Sequence, residues 1–374
     1  MRVVVAPDSF KESMTAAEAA EAMVRGVRTV WPDAECVSLP LADGGEGTLA
    51  ALVGPMGAQL RSTATVDAIG RPIEAAWGLA ADTAVIEAAT VIGLELVPAQ
   101  LRDPLRAGTI GLAALITAAL DAAATRVVIG IGGTATNDGG AGLLAGLGVR
   151  LLDGDGVEVA PTPEGLQRLE RVDVSGLDPR LRQVELQLAS DVTNPLLGPD
   201  GATAVFAAQK GARSADLPQL ETALRRLADA LVAAGLPDVR ELPGAGAAGG
   251  LGAALLALGA RRGSGFTVVA QAVDLEEAIR GADLVLTGEG SLDAQTASGK
   301  APAGVLALAR RHAVPVLAFA GRIADVGAAI ELGFAQAIAI SPTSLPLEQA
   351  LIRGPELLPG AVASALVSWP IETR

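Results

Sequence analysis

Most of the residues in this sequence able to do chemistry lie just after short apolar runs, in segments rich in glycine and small polar side chains. Val5 leads to Asp8-Ser9-Phe10-Lys11, and Ile131 leads to Gly132-Gly133-Thr134-Ala135-Thr136-Asn137-Asp138-Gly139-Gly140. Leu188 leads to Ser190-Asp191-Val192-Thr193-Asn194, and Leu286 to Gly288-Glu289-Gly290-Ser291-Leu292-Asp293. Each alone is an ordinary loop; their recurrence points to a shared ligand. The 132–140 run has the makings of an anion cradle. Its four glycines let backbone N–H groups approach a ligand, Thr134, Thr136 and Asn137 add donors, and a helix is expected from about Gly139. The competing reading is a strand-to-helix turn that uses glycine for packing.

Cation usage sharpens the choice of chemistry. Only three lysines, Lys11, Lys210 and Lys300, stand among 28 basic residues, and each lies among polar or glycine residues. A point-charge ammonium that meets phosphate oxygens resists replacement by arginine. The only two asparagines, Asn137 and Asn194, fall in the same runs. Among the acids, Asp191 is the expected base for a substrate hydroxyl, with an Asx-type turn before Pro195 as the alternative. Asp43 and Glu46, in Asp43-Gly44-Gly45-Glu46-Gly47, are expected to contact magnesium or a hydroxyl, or else to cap their own loop. Glu289 and Asp293 are the expected magnesium contacts, direct or through water. The inventory of small donors, three lysines and several acids suits phosphoryl transfer, which asks mainly for positioning and charge stabilisation.

Two familiar patterns fail on context. Gly244-Ala245-Gly246-Ala247-Ala248-Gly249 matches a dinucleotide fingerprint, but no apolar strand precedes it. It is expected to open a helix, either touching an anion or packing. Gly299-Lys300 ends like a phosphate loop, yet Ala301 replaces the hydroxyl residue and the upstream glycine is missing.

The elements that must position these residues alternate. Val3–Ala6 reads as a strand, Thr15-Ala16-Ala17-Glu18 as a capping box, and Ala20, Met23, Val24, Val27 and Val30 as one helix face. Towards the C-terminus, strands at 283–287, 314–320 and 337–340 alternate with helices at 302–311 and 324–332. Such alternation implies parallel strands joined by right-handed crossovers. In the middle, 66–87 and 149–159 read as antiparallel hairpins, the second turning at Asp153-Gly154-Asp155-Gly156. Helices at 111–123, 217–234 and 248–260 and a strand at 127–131 complete the reading. The expected fold is α/β: a discontinuous flavodoxin-like or Rossmann-like parallel domain from 1–60 and 265–374, with a mixed α/β domain, 61–264, inserted in it. The active site is expected in the cleft between them, at the carboxyl ends of the strands.

Composition excludes several classes. Half of the residues are apolar but there are five Phe, three Trp and no Tyr, so Val, Leu, Ile and Ala must fill the core, as in buried parallel sheets. A net charge of −14 opposes binding to nucleic acid or to anionic membrane surfaces. Charged residues and glycines interrupt the Ala/Leu stretches, so no membrane span is expected. Cys36 is the only cysteine, which suits a reducing compartment, and the chain is expected to be cytoplasmic. His312, the only histidine, sits beside Arg310 and Arg311 at an expected helix end, which leaves no histidine triad or zinc site.

Seven blocks, in order along essentially the whole chain, resemble the bacterial glycerate kinase family. They are APDSFKES at 6–13, ADGGEGT at 42–48, IGIGGTATNDGGAG at 129–142, DVTNPLLGPDGA at 191–202, QKGA at 209–212, LPGAGAAGGLGAALL at 242–256 and TGEGSLDAQTASGK at 287–300. The resemblance implies ATP-dependent phosphorylation of D-glycerate with Mg2+, in a fold joining a flavodoxin-like domain to a second α/β domain. It favours 2-phosphoglycerate over 3-phosphoglycerate as product. On the chemistry read above, Asp191, Lys11, Asp43 and Lys210 are the expected catalytic residues. Asp8, Ser9, Gly132, Gly133, Thr134, Thr136, Asn137, Asp138, Asn194, Gly288, Gly290 and Lys300 are expected to hold substrate and phosphate. Small-molecule substrates are the expected partners, and a homo-oligomer is compatible with the sequence. The alternatives are a kinase for a related hydroxy acid, or a non-catalytic sugar-acid sensor that would have shed these carboxylates.

Overall fold

Thirteen strands form among residues 1–42, 44–292, 301–342 and 344–370, the part of the chain that this computed structural model describes. In chain order they begin with β1 (Arg2–Val5), β2 (Glu35–Ser38), β3 (Gln59–Val66), β4 (Pro72–Ala80), β5 (Thr83–Glu87) and β6 (Arg126–Gly130). Next come β7 (Arg150–Leu152), β8 (Arg171–Asp173), β9 (Glu185–Ala189) and β10 (Arg261–Gly263). The last three are β11 (Leu284–Leu292), β12 (Val316–Ile323) and β13 (Gln336–Ala339). Two compact units divide them, one from Met1–Asp43, Ala50–Gly57 and Val269–Arg374, the other from Gly44–Leu49 and Ala58–Val268.

In the first unit the sheet order is β2-β1-β11-β12-β13, and every pairing is parallel. Numbered within this unit alone, that is the flavodoxin order 2-1-3-4-5, and its topological switch point lies between β1 and β11. Continuous apolar runs make these central strands. Val3, Val4 and Val5 have no exposed surface, nor do Leu284, Val285 and Leu286. Helix Ala16–Val30 starts as its sequence dictates, with the Thr15 hydroxyl accepting from Glu18 N and the Glu18 carboxylate accepting from Thr15 N. Its Ala19, Met23 and Val27 join Val3, Val5, Leu317 and Phe319 in one core. Leu358, Val362 and Leu366 of helix Leu347–Val367 fill the same core. That helix, which the sequence pattern did not reveal, is long and apolar enough to cross a membrane, although Arg353 and Glu356 interrupt it.

The second unit carries a mixed sheet, β10-β9-β6-β5-β4-β3. Strands β10, β9, β6 and β5 run parallel, and β5-β4-β3 is an antiparallel meander. Helix Ile110–Asp121 buries Leu112, Leu115 and Ile116 against Ile86, Val127 and Ile129. The hairpin expected at 149–159 forms only as a turn with a single bridge, Leu152↔Glu158, and β7 pairs instead with β8. Val149, Leu151 and Val172 thereby cover Ala223 and Leu227 of helix Leu217–Ala233. Burial of that helix face decides the partner strand, which lies too far along the chain for a local pattern to show.

Candidate active site

The register of the six-stranded sheet lines up its carboxyl edge. Glu87 at the end of β5 is level with Gly130 of β6, Gly130 with Ala189 of β9, and Ala189 with Gly263 of β10. The loops at Gly132 and Asp191 each begin two residues beyond this line. The segment 44–49 lies over the same edge. Gly132 N donates to Gly44 O at 3.2 Å. A Cβ on Gly132 would come within 2.5 Å of Gly45 Cα, so glycine is required for this approach. Glu87 fixes the segment by accepting from Gly47 N at 3.1 Å and Leu49 N at 2.9 Å. Burial pushes the Glu87 carboxyl above the usual carboxylate range, Glu46 adding to the effect against those two hydrogen bonds.

Beneath the edge, the 132–140 loop is turned inward more than a cradle requires. Gly133 is exposed and Gly132 half-buried, but Thr134, Thr136, Asn137 and Asp138 are buried. Asp138 accepts from Thr109 N (2.8 Å), Thr109 Oγ1 (2.7 Å), Gly140 N (3.1 Å) and Gly142 N (3.1 Å). Its role here is to lock the start of the helix Ala141–Gly146, and burial raises its pKa against those hydrogen bonds. Lys210 is also buried, donating from Nζ to Thr136 O at 2.7 Å and towards Thr134 Oγ1 at 3.4 Å. Burial lowers its pKa to about 8, opposed by the charge of Asp138. Asn137 Nδ2 donates to Thr203 Oγ1 at 3.1 Å, while Asn137 Oδ1 and Thr136 Oγ1 are buried without a hydrogen-bond partner among the described residues. The Gly244–Gly249 turn packs tightly against the 132–140 loop. Gly139 N donates to Gly249 O at 3.0 Å, and a Cβ on Gly249 would lie 2.1 Å from Thr136 O.

Asp191 is exposed at this edge, and its Oδ1 accepts from Gly265 N at 3.0 Å, steadying the start of helix Gly265–Ala272. Asn194 serves its own loop, with Nδ2 donating to Asp200 O at 2.8 Å.

In the first unit a smaller group gathers at the switch point. Asp8 N donates to Gly288 O at 2.8 Å, and Asp8 Oδ1 accepts from Ser9 N at 2.6 Å. Gly290 lies against the backbone of Lys11, where a Cβ would meet Lys11 N at 3.2 Å. Lys11 is exposed, whereas Glu289 is 7% exposed. Asp8, Ser9, Lys11, Gly288, Glu289 and Gly290 therefore share one sheet edge. Asp43, Asp293 and Lys300 lie outside the described residues. His312 Nε2 lies 3.2 Å from Glu276 Oε1 near the end of helix Ala301–Arg311.

Sequence reasoning missed Glu87, Thr109 and Thr203. Glu87 had a signal, an acid closing the apolar run Ala84-Val85-Ile86. Thr109 and Thr203 had none, because their partners lie 29 and 66 residues away.

Comparison with known proteins agrees with this architecture. A family model described as the glycerate kinase family matches residues 3–369. A glycerate kinase of Bacillus subtilis (strain 168) is 48% identical over 362 residues, covering 96% of this chain and 95% of that one. A glycerate 2-kinase of Escherichia coli (strain K12) is 46% identical over 328 residues, or 87% and 86% of the two chains. A crystal structure from Salmonella typhimurium LT2, provisionally assigned as glycerate kinase 2, superposes with a TM-score of 0.89 at 42% identity over 98% of each chain. With a match that spans nearly every strand, helix and polar loop described above, the chain belongs to the glycerate kinase family, and is a kinase, a phosphotransferase.

Proposed function

We propose that this chain transfers the γ-phosphoryl group of ATP to a hydroxyl of D-glycerate, giving 2-phosphoglycerate. The observation that carries the proposal is the near-full-length relationship to the Escherichia coli protein named for the 2-position. Asp191 is the proposed base: it is exposed at the carboxyl edge of the six-stranded sheet, within reach of solvent and hence of a small alcohol. Gly132 and Gly133 are the part of their loop whose backbone a ligand can reach. Thr134, Thr136, Asn137, Asp138 and Lys210, all buried, hold that loop in shape and are assigned no direct contact with the transferring group. Lys11 is proposed to offset phosphoryl charge, with Asp8, Ser9, Gly288 and Gly290 shaping its surroundings.

Magnesium fits the carboxylates present. Mg2+ usually takes one or two carboxylates together with substrate phosphates and does not need a protein cage. No cluster of three His, Cys, Asp or Glu side chains occurs among the described residues, while Glu289 lies between Gly288 and Gly290, whose backbones meet those of Asp8 and Lys11. Glu289 is the described residue that would hold the ion, which would offset charge on the phosphate oxygens.

Phosphorus NMR of the product formed from D-glycerate, ATP and magnesium tests the acceptor and the position together. A single 2-phosphate resonance is expected. A 3-phosphate product corrects the position, and no product above an ATP-only blank removes the activity. Asp191→Asn is expected to lower kcat by about a hundredfold or more, the scale of losing a general base; normal turnover would take Asp191 out of that role.

A further inference from the structure

The first unit contains a cavity of about 80 Å³ that the site residues above only border. Phe10, Lys11 and Ser13 line it from the loop after β1, Gly290 from β11, Gly321 and Arg322 from β12, and Ile340 and Ser341 from the chain beyond β13. Leu347, Ala350 and Leu351 line it from the first turns of helix Leu347–Val367. Two cations thus border one cavity at the carboxyl edge of a parallel sheet. Arg322 is exposed and has no ion pair among the described residues, unlike many other arginines of this chain. The helix starts at Pro346 with no side-chain cap among the described residues, and the positive end of its dipole lies at the cavity. Ser13 Oγ already donates to Leu351 O at 2.6 Å and so keeps lone pairs rather than a proton for a ligand.

No carboxylate lines the cavity among the described residues. A wall with two cations and an open helix N-terminus suits a ligand carrying more than one negative charge. A single carboxylate of a hydroxy acid would neutralise only part of it. The apolar remainder, Phe10, Ile340, Leu347 and Leu351, lowers the local dielectric and strengthens each contact to charge. We propose that this cavity binds the polyphosphate of the nucleotide, with Arg322 as a phosphate-binding residue beside Lys11. The proposal rests on the kinase reading above but not on the identity of the acceptor.

The test is equilibrium binding of ADP, and separately of inorganic tripolyphosphate, to the full chain without any acid present. Arg322→Ala should weaken both by about tenfold or more, the scale of one charge-assisted hydrogen bond. Its KM for glycerate should stay within about twofold, and its thermal midpoint should match that of the parent, since Arg322 is exposed and unpaired. Unchanged ADP and tripolyphosphate affinity overturns the proposal. So does a raised KM for glycerate with ADP affinity intact, which would assign the cavity to the acid. If the parent binds ADP and Arg322→Ala does not, yet neither phosphorylates glycerate, the cavity assignment stands and the glycerate reading falls.

Discussion

The carboxyl edges of the two sheets do different work with similar residue types. At the edge of the six-stranded sheet, polar side chains are spent on the protein itself. Asp138 takes four donors, Lys210 is buried on Thr136 O, and Glu87 clamps the 44–49 segment. At the edge of the five-stranded sheet, Lys11 and Arg322 border a cavity with no carboxylate in its wall among the described residues. One edge is a framework largely satisfied internally, Asn137 Oδ1 and Thr136 Oγ1 excepted; the other presents two exposed cations. Such internal satisfaction makes a loop rigid, and rigidity is what a backbone N–H donor needs if it is not to reorganise during reaction. An exposed cation meets the other requirement, attraction to an anion that comes and goes.

Breaking the framework should have the largest effect. Asp138→Ala leaves the Thr109 and Gly142 amides, the Gly140 amide and a hydroxyl without their acceptor, and Lys210 without its counter-charge. The expected loss is about 3–5 kcal/mol, the scale seen when one partner of a buried charged group is removed. Urea unfolding followed through the second unit measures it, and a loss below about 1 kcal/mol would mean that the loop does not depend on Asp138.

A pH titration tests the burial of Lys210 next. The folded pKa of Lys210 is depressed from 10.5 to about 8 by burial. The unfolded chain therefore binds that proton more tightly, and stability rises with pH between about 8 and the unfolded value. Below about 8 both states are protonated, and the contribution from the neutral amine is gone. Compared with Lys210→Met, the parent should gain stability across that window, on the order of 3 kcal/mol at its upper end. Parallel profiles for the two proteins would show that Lys210 is not buried as described.

How much of this the sequence revealed depends on how local each cause is. The Thr15–Glu18 capping box and the buried runs Val3–Val5 and Leu284–Leu286 were legible because their determinants are adjacent in the chain. The parallel α/β class followed from the same runs, and so did the placing of polar loops after β1, β6 and β9; Gly288–Leu292, read as a loop, instead continues strand β11, because its backbone pairs with β12 as far as Ile323. What stayed hidden was orientation. Thr134, Thr136 and Asn137 look on paper like donors offered to a ligand, and Asp138 like a polar neighbour to it. They point inward because Thr109, Thr203 and Lys210 wait for them, contributed by distant parts of the chain. The scarcity of lysine singled out Lys11 and Lys210 alike and could not tell a buried ammonium from an exposed one. Lys210 and Lys11 look alike in the sequence and differ wholly in burial. Arg322 escaped notice because it is one of many arginines and only the cavity singles it out.

That difference in burial yields the smallest and most discriminating prediction. Lys210→Arg must fit a larger, planar, permanently charged group where Lys210 Nζ reaches Thr136 O through a fully packed interior. Overpacking of this kind costs about 1–3 kcal/mol. Lys11→Arg makes the same chemical change on an exposed side chain and should alter stability by less than about 0.5 kcal/mol. Its effect should fall on turnover, since a guanidinium presents a fork of donors where an ammonium presents a compact charge. Chemical denaturation and steady-state kinetics on the two variants read both quantities. Equal losses of stability would erase the distinction between the two edges. A Lys11→Arg protein with unchanged stability and full activity would keep the distinction but remove Lys11 from contact with the phosphoryl group.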